Sequence, residues 1–234
     1  MKLQFLKKLL PNTFLAGIFL LALMMTIGSW AKEKELPEVS SDGLHLVKNA
    51  KVRVAYAIPG LDLSKYSKVK ILDCYVQFKK NYMREYNMDE VGLQGRVTSK
   101  DMDDIKKRLA TEFNKVFTEV LTKAGHEVVT DVGPDTLLLR PAIINLDVAA
   151  PDLMTANFGN TWVASAGQMT LYMEMYDSET SELLARVIDP EAGRQGGAQA
   201  SNRVTNTVEA KQIIRRWAKL LNDHLGDISQ STGG

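Results

Sequence analysis

The sequence offers few side chains whose type and spacing are suited to chemistry. Its only cysteine is Cys74, and its only histidines are His45, His126 and His224. A zinc site needs such ligands at short, regular spacing, and these four residues are scattered along the chain. Cys74 lies inside an apolar run, away from the basic groups that would lower the pKa of its thiol. We therefore expect solvated or capping histidines and a buried, unreactive cysteine.

The usual catalytic and nucleotide-binding motifs are also missing. Ser165 is followed by Ala166-Gly167, but the first glycine of a nucleophile elbow is absent. The glycines at positions 193, 196 and 197 are not followed by Lys-Ser or Lys-Thr, as a phosphate-binding loop requires. The sequence thus predicts no enzymatic activity, no metal and no cofactor.

Two groups of residues are candidates for an interaction surface. The first is Tyr82, Arg84 and Tyr86, which lie in a polar stretch that we interpret as a loop. Exposed tyrosine and arginine are enriched at protein interfaces, which predicts a contact surface here. The alternative is that the two tyrosines fold under the domain and join its core.

The second group is a basic stripe near the end of the chain. Lys211, Arg215 and Lys219 recur every four residues, so a helix would place them on one face. This pattern is typical of a solvated helix face. The alternative is a docking surface for an acidic partner or an anionic lipid.

The first 31 residues have the pattern of a bacterial secretory signal peptide. Lys2, Lys7 and Lys8 precede an apolar run over residues 13–27, and Ser29 and Ala31 are small residues before the expected cleavage site. We predict export to the periplasm. The alternative is an uncleaved leader that anchors the protein in the inner membrane, since residues 9–30 approach the length of a bilayer span.

Charge narrows the choice of partners. Removal of the three leader lysines changes the formal net charge from +1 to −2. Binding to nucleic acid needs a concentrated positive surface, so we exclude nucleic acid as a partner. We expect an envelope protein as partner, with membrane contact only through that partner or through an uncleaved leader.

Two helices are predicted to position these surfaces. Residues 100–124 carry apolar side chains at steps of three and four, with Ser99 as N-cap and Gly125 as C-terminal stop. Residues 207–224 have a second such stripe, with Asn206 as cap. Each apolar stripe needs a sheet to cover it.

The strands are predicted from alternating apolar residues. Residues 68–78 and 136–148 form the clearest ones, with Pro141 indicating a bulge or a sheet edge. Residues 168–176 and 182–188 flank a turn and form a hairpin. We predict an α+β domain over residues 44–228, a largely antiparallel sheet of four to five strands with two main helices on one face. A flexible linker over 32–43 precedes it, and a disordered tail over 229–234 follows.

Three stretches, taken together, resemble a known family. They are Tyr56-Ala57-Ile58-Pro59-Gly60-Leu61-Asp62, Gly133-Pro134-Asp135-Thr136-Leu137, and Asp177-Ser178-Glu179-Thr180-Ser181. In this order and spacing the chain is similar to domain-of-unknown-function family 3313, which consists of exported bacterial proteins, often lipoproteins. This chain lacks the cysteine that a lipoprotein carries at its cleavage site, and the resemblance implies no catalytic residues.

These observations predict a non-enzymatic accessory protein of the periplasm that acts by contact with another envelope protein. The alternative is a domain that binds a small molecule or a lipid. In that case the loop over residues 149–167 and the segment over 193–200 would form the entrance of its pocket.

Overall fold

A computed structural model describes residues 36–89, 96–148, 166–192 and 203–225. The predicted signal peptide, the tail over 229–234 and Ser165 lie outside these ranges, as do residues 149–165 and 193–200 of the two predicted pocket loops. Packing divides the chain into residues 1–36 and 37–234, and the elements described below belong to the second unit.

Eight strands form one sheet in the described part of the chain. In chain order they are β1 (His45–Leu46), β2 (Val54–Ala57), β3 (Lys68–Ile71), β4 (Tyr75–Phe78), β5 (Glu127–Val129), β6 (Thr136–Val148), β7 (Ala166–Asp177) and β8 (Leu183–Ala192). Across the sheet the order is β1-β2-β8-β7-β6-β3-β5, and β4 also pairs with β6.

The predicted sheet of four to five largely antiparallel strands is therefore wrong, although the α+β class is confirmed. Strands β3 and β4 run parallel to β6, and β3 also runs parallel to β5. The other pairs are antiparallel. The physical reason is the long helix between β4 and β5, because a helical crossover returns the chain in its original direction.

The predicted strand over residues 68–78 consists of two short strands along one long partner. β3 pairs with residues 136–139 of β6 and β4 with residues 142–146. Pro141 lies where β6 changes its partner from β3 to β4. Its missing backbone N–H therefore falls between the two sets of strand-pairing hydrogen bonds. The prediction of a bulge or an edge at Pro141 is wrong, because β6 is an interior strand and its register with β7 is regular at this residue.

Three helices accompany the sheet in the described residues: α1 (Tyr82–Asp89), α2 (Ser99–Lys123) and α3 (Arg203–Leu225). The predicted loop over residues 79–95 thus contains α1. The predicted helices at 100–124 and 207–224 correspond to α2 and α3, and α3 begins four residues earlier than expected. No helix in this part of the chain is long and apolar enough to cross a bilayer.

Helix α2 supplies much of the core. Its N-cap is Thr98 rather than Ser99, because Thr98 and Asp101 form a reciprocal capping box. The apolar stripe lies against the sheet, as predicted, with Phe113 and Phe117 stacked at 4.1 Å between ring centroids. Its buried residues are Ile105, Leu109, Phe113, Val116, Phe117 and Leu121.

The β7–β8 hairpin is the predicted one. The carboxylate of Asp177 accepts hydrogen bonds from the backbone N–H groups of Glu179 and Thr180, both at 3.0 Å, which stabilises the turn. Side chains alternate along β7: Leu171, Met173 and Met175 point to the helices, and we call this side the helix face. Tyr172, Glu174 and Tyr176 lie on the opposite side, which we call the second face.

Part of the predicted flexible linker, residues 37–43, is held by hydrogen bonds. Val39 bridges to His45 of β1, and the hydroxyl of Tyr56 donates to the carbonyl oxygen of Pro37 at 3.0 Å. The guanidinium of Arg186, on β8, pairs with Asp42. This segment therefore contacts the second face at β2 and β8.

Candidate functional site

A mostly apolar cavity of about 290 Å³ lies between α3 and the strands β2, β7 and β8. Small-molecule sites have volumes from roughly 300 Å³ upward and are lined mainly by apolar side chains. The helix side is formed by Trp217, Leu220 and Leu221, and the sheet side includes Leu171, Met173 and Met175. In size and lining the cavity resembles a small ligand site.

The cavity exists because small side chains lie beneath α3. Ala55 and Ala57 of β2 face the helix, and the sheet register places them opposite Val187 and Ala185 of β8. The next strand, β7, carries the larger Met173 and Met175 in the same rows. A helix that packs evenly across these strands leaves space above the alanines, since a protein interior is otherwise close-packed.

One wall of the cavity is fixed by a buried carboxylate. Asp189, which is 4% exposed, accepts a hydrogen bond from the indole Nε1–H of Trp217 at 2.8 Å. It also accepts from the backbone N–H of Arg53 at 2.8 Å and from the guanidinium of Arg216 at 2.6 Å. Trp217 is therefore held in place by polar bonds while the body of its ring lines an apolar space.

The polar residues that line the cavity are at the chain segment before β2 and at the end of α3. Asn49, Lys51 and His224 are all exposed, and we call this group the polar end. Lys51 pairs with Asp223 at 3.6 Å, and His224 Nδ1 lies 2.7 Å from the carbonyl oxygen of Leu220. The cavity thus joins an apolar interior to a charged rim.

A second polar cluster lies on the other side of the same hairpin. Glu174 is 3% exposed, and its carboxylate accepts hydrogen bonds from the hydroxyls of Tyr172 at 2.8 Å and Tyr176 at 2.7 Å. It also pairs with Arg186 at 3.0 Å and with Arg140 at 2.5 Å. Arg140, Glu174 and Arg186 lie directly across from one another on β6, β7 and β8.

The environment of Glu174 keeps it ionised. Burial on its own raises the pKa of the carboxyl group, but the hydrogen bonds from Tyr176, Tyr172 and Arg186 outweigh it, so the pKa lies below its ordinary value. Burial, together with the same carboxylate, raises the pKa of Tyr172 and Tyr176. General acid–base catalysis works best with a pKa near the operating pH, and these groups are shifted away from neutrality.

The structure separates the three residues of the first predicted surface. Tyr82 is buried: its ring stacks on Phe78 at 4.6 Å, and its hydroxyl donates to the carbonyl oxygen of Val148 at 2.9 Å. Tyr86 is half-buried and packs against the core. Arg84 is exposed. The four-residue spacing of Tyr82 and Tyr86 is the signal for a helical, core-facing interpretation.

The basic stripe on α3 mostly faces α2. Lys211 pairs with Glu112 at 3.0 Å, and Arg215 lies 3.7 Å from Glu119. Lys219 is exposed. The positive charge of the stripe is thus largely matched by carboxylates of the neighbouring helix.

The remaining chemical candidates lie apart from one another. Cys74 is buried, and burial raises the pKa of its thiol to about 12. His45 lies on β1, buried His126 precedes β5, and His224 is at the polar end. Among the described residues, no three His, Cys, Asp or Glu side chains are grouped as metal ligands would be.

The cavity residues are the ones that the sequence did not reveal. Ala55 and Ala57 lie in a weakly alternating stretch, and Ala185 lies in a hairpin strand whose partner across the sheet is more than 100 positions away in sequence. The available signal was the alternation of alanine with larger residues on β2. Only the register of β2 on β8 shows that these alanines meet.

Comparison with solved structures finds distant similarities. A PelC dodecamer from Paraburkholderia phytofirmans is 9% identical, with 71% of this chain and 96% of that chain covered and a TM-score of 0.36. A DUF4136 family protein from Bacteroides thetaiotaomicron is 12% identical, with 72% and 95% covered and a TM-score of 0.34. Similarities this distant do not indicate what the chain binds or does.

The sequence comparisons are more specific about family. The search of curated proteins found no match. The profile of a family described as "Protein of unknown function (DUF3313)" matches residues 39–221, which is more than half of the chain and spans β1 to most of α3. The resemblance seen in the three turn-rich stretches is confirmed, and the chain belongs to the DUF3313 family.

Proposed function

We propose that the protein is a non-enzymatic accessory protein of the periplasm that binds an apolar ligand in the cavity beneath α3. The observation that carries the proposal is the cavity itself, with its aliphatic and indole lining and its charged rim. Burial of one methylene group contributes about 0.8 kcal/mol. A chain of about ten methylenes therefore gains roughly 8 kcal/mol before the costs of association are subtracted.

The periplasmic location is supported by the leader pattern of residues 1–31. The absence of catalytic activity is supported by the chemistry of the best-connected polar groups. Glu174 stays charged, while the pKa values of Tyr172 and Tyr176 are raised, so none of them is suited to proton transfer at neutral pH.

Ligand binding is favoured over action by protein contact alone. Of the six residues predicted to form contact surfaces, Tyr82 is buried, and Lys211 and Arg215 pair with carboxylates of α2. The cavity, by contrast, combines a volume of about 290 Å³ with a mostly apolar lining. Arg84 and Lys219 are still available for protein contact and are compatible with ligand binding.

The test is binding of a neutral apolar fluorescent probe, N-phenyl-1-naphthylamine. We expect saturable binding to the wild-type protein and binding at least about tenfold weaker in Ala57→Phe, because the new ring occupies the cavity. Ala142→Phe is the matched control, since Ala142 lies opposite Tyr172 and so on the second face of the same sheet.

Far-UV circular dichroism should show that both variants are folded. If Ala57→Phe does not fold, Ala185→Leu adds less volume to the same space. The proposal is wrong if the wild-type protein binds no probe, or if a folded cavity-filling variant binds it as tightly as the wild type.

A further inference from the structure

The residues at the polar end of the cavity restrict the head group of the ligand, whereas the apolar lining restricts only its hydrocarbon part. Resting on the proposed function, we infer that the ligand is a single-chain amphiphile with a zwitterionic head group that contains an ammonium and a phosphate. The chain occupies the space above Ala57 and Ala185, and the head group lies at Lys51, Asp223 and His224.

The volume allows one hydrocarbon chain. An apolar cavity of about 150 Å³ stays dry and accepts benzene. By proportion, a cavity of about 290 Å³ accepts roughly a dozen carbon atoms. That is the size of one acyl chain and too little for two, so a lysolipid fits where a two-chain phospholipid does not.

The charges include both signs once Asp223 is counted, which does not line the cavity but is the ion-pair partner of Lys51 at the polar end. Lys51 and Asp223 lie 3.6 Å apart, and their side chains are 67% and 53% exposed. An exposed pair at this distance contributes little stability, so a ligand can replace it at small cost. A purely anionic head group would pair with Lys51 and leave Asp223 without a partner. A purely cationic head group would pair with Asp223 and leave Lys51 without one. A zwitterion gives each of them a partner.

The end of α3 adds a second preference on the same side. Asp223 is in the last turn of α3, where the helix dipole favours a positive charge. Asp223 and the helix end together favour an ammonium group, and Lys51 favours the phosphate.

The experiment compares amphiphiles that share one chain and differ in the head group. The probes are lauroyl lysophosphatidylethanolamine, laurate and dodecylamine, each below its micellar concentration, and binding is measured by displacement of the naphthylamine probe. The full chain is used, and binding outside the cavity is subtracted with the Ala57→Phe variant. We expect the zwitterion to bind about tenfold more tightly than either singly charged probe.

Two substitutions test the head-group contacts. In Lys51→Met and in Asp223→Asn the preference for the zwitterion should fall to about twofold or less, since one charge then lacks its partner. Lys48→Met and Asp131→Asn are matched controls at exposed positions outside the cavity lining and should keep the full preference.

The outcomes separate this inference from the proposed function. If the neutral probe binds in the cavity but the three amphiphiles bind equally, the head-group inference is wrong and the ligand cavity stands. The same conclusion follows if Lys51→Met and Asp223→Asn retain the wild-type preference. If the neutral probe does not bind, the proposed function is wrong as well.

Discussion

Substitution of Glu174 by glutamine tests the polar cluster on the second face. The glutamine keeps the shape of the side chain but removes its charge, and its amide NH₂ group replaces an acceptor with a donor. A tyrosine hydroxyl can turn to accept from this NH₂ group, but a guanidinium cannot. Whichever way the amide lies, its NH₂ group therefore faces a donor of Arg186 or of Arg140 in a site where the side chain is 4% exposed.

The magnitude follows from the contacts. Removal of one partner from a buried ion pair destabilises a protein by about 3–5 kcal/mol. The lower end applies here, because Arg186 keeps Asp42 as a second partner and the side chain of Arg140 is 59% exposed. We expect a loss of about 3 kcal/mol, a large part of the roughly 5–15 kcal/mol that stabilise a typical domain.

The assay is urea unfolding at neutral pH, followed by far-UV circular dichroism, with Glu127→Gln on the exposed edge strand β5 as control. The pKa of Glu174 is lowered in the folded protein. Its stabilising contribution is therefore complete above the ordinary pKa near 4.5 and is lost as the pH falls through the folded-state value. Glu174→Gln should lack this part of the acid dependence.

A Glu174→Gln protein within about 0.5 kcal/mol of the wild type, the range of a neutral surface substitution, would refute this reasoning. The same holds for a variant that loses as much stability on acidification as the wild type does. Either result would mean that the tyrosine and arginine contacts do not stabilise the fold.

Three further perturbations have defined outcomes. The buried thiol of Cys74, whose pKa is about 12, should resist alkylation by iodoacetamide at pH 8 and should react once urea unfolds the protein. Mass spectrometry follows the reaction, and alkylation of the folded protein at the rate of a free thiol would contradict the burial of Cys74. Asp189→Ala leaves the indole N–H of Trp217 without its acceptor and should lower the free energy of unfolding by about 2–3 kcal/mol, and a change below about 0.5 kcal/mol would contradict this. Thr98→Ala removes the capping box of α2 and should cost about 1 kcal/mol in thermal unfolding, whereas Ser99→Ala should change little.

Local periodicity predicted the elements whose partners are close in sequence. The stripe of α2 and the β7–β8 hairpin were found because each depends on residues three, four or two positions apart, or on one turn. The capping residue was displaced by one position, from Ser99 to Thr98. Both residues are good caps by type, and only Thr98 has an acidic residue three positions later.

The topology and the cavity depend on contacts between distant parts of the chain. β2 and β8 are separated by more than 100 residues, and no local pattern in either strand indicates that Ala57 meets Ala185. The parallel pairing of β3 with β6 was predictable from the intervening helix. Tyr82 is buried and Tyr86 half-buried, as in the alternative in which the two tyrosines fold under the domain. The polar composition around them conceals their four-residue spacing.

The alternation along β7 has a consequence for how the gene tolerates insertions. Successive residues of this strand serve opposite sides of the sheet, Met173 and Met175 for the cavity and Glu174 for the polar cluster. One inserted codon near position 170 would exchange the two sets, placing a carboxylate under α3 and methionines on the second face. An insertion at Thr180, in the turn, leaves both sets in place. Length variation should therefore be tolerated at the turn and excluded from the strand.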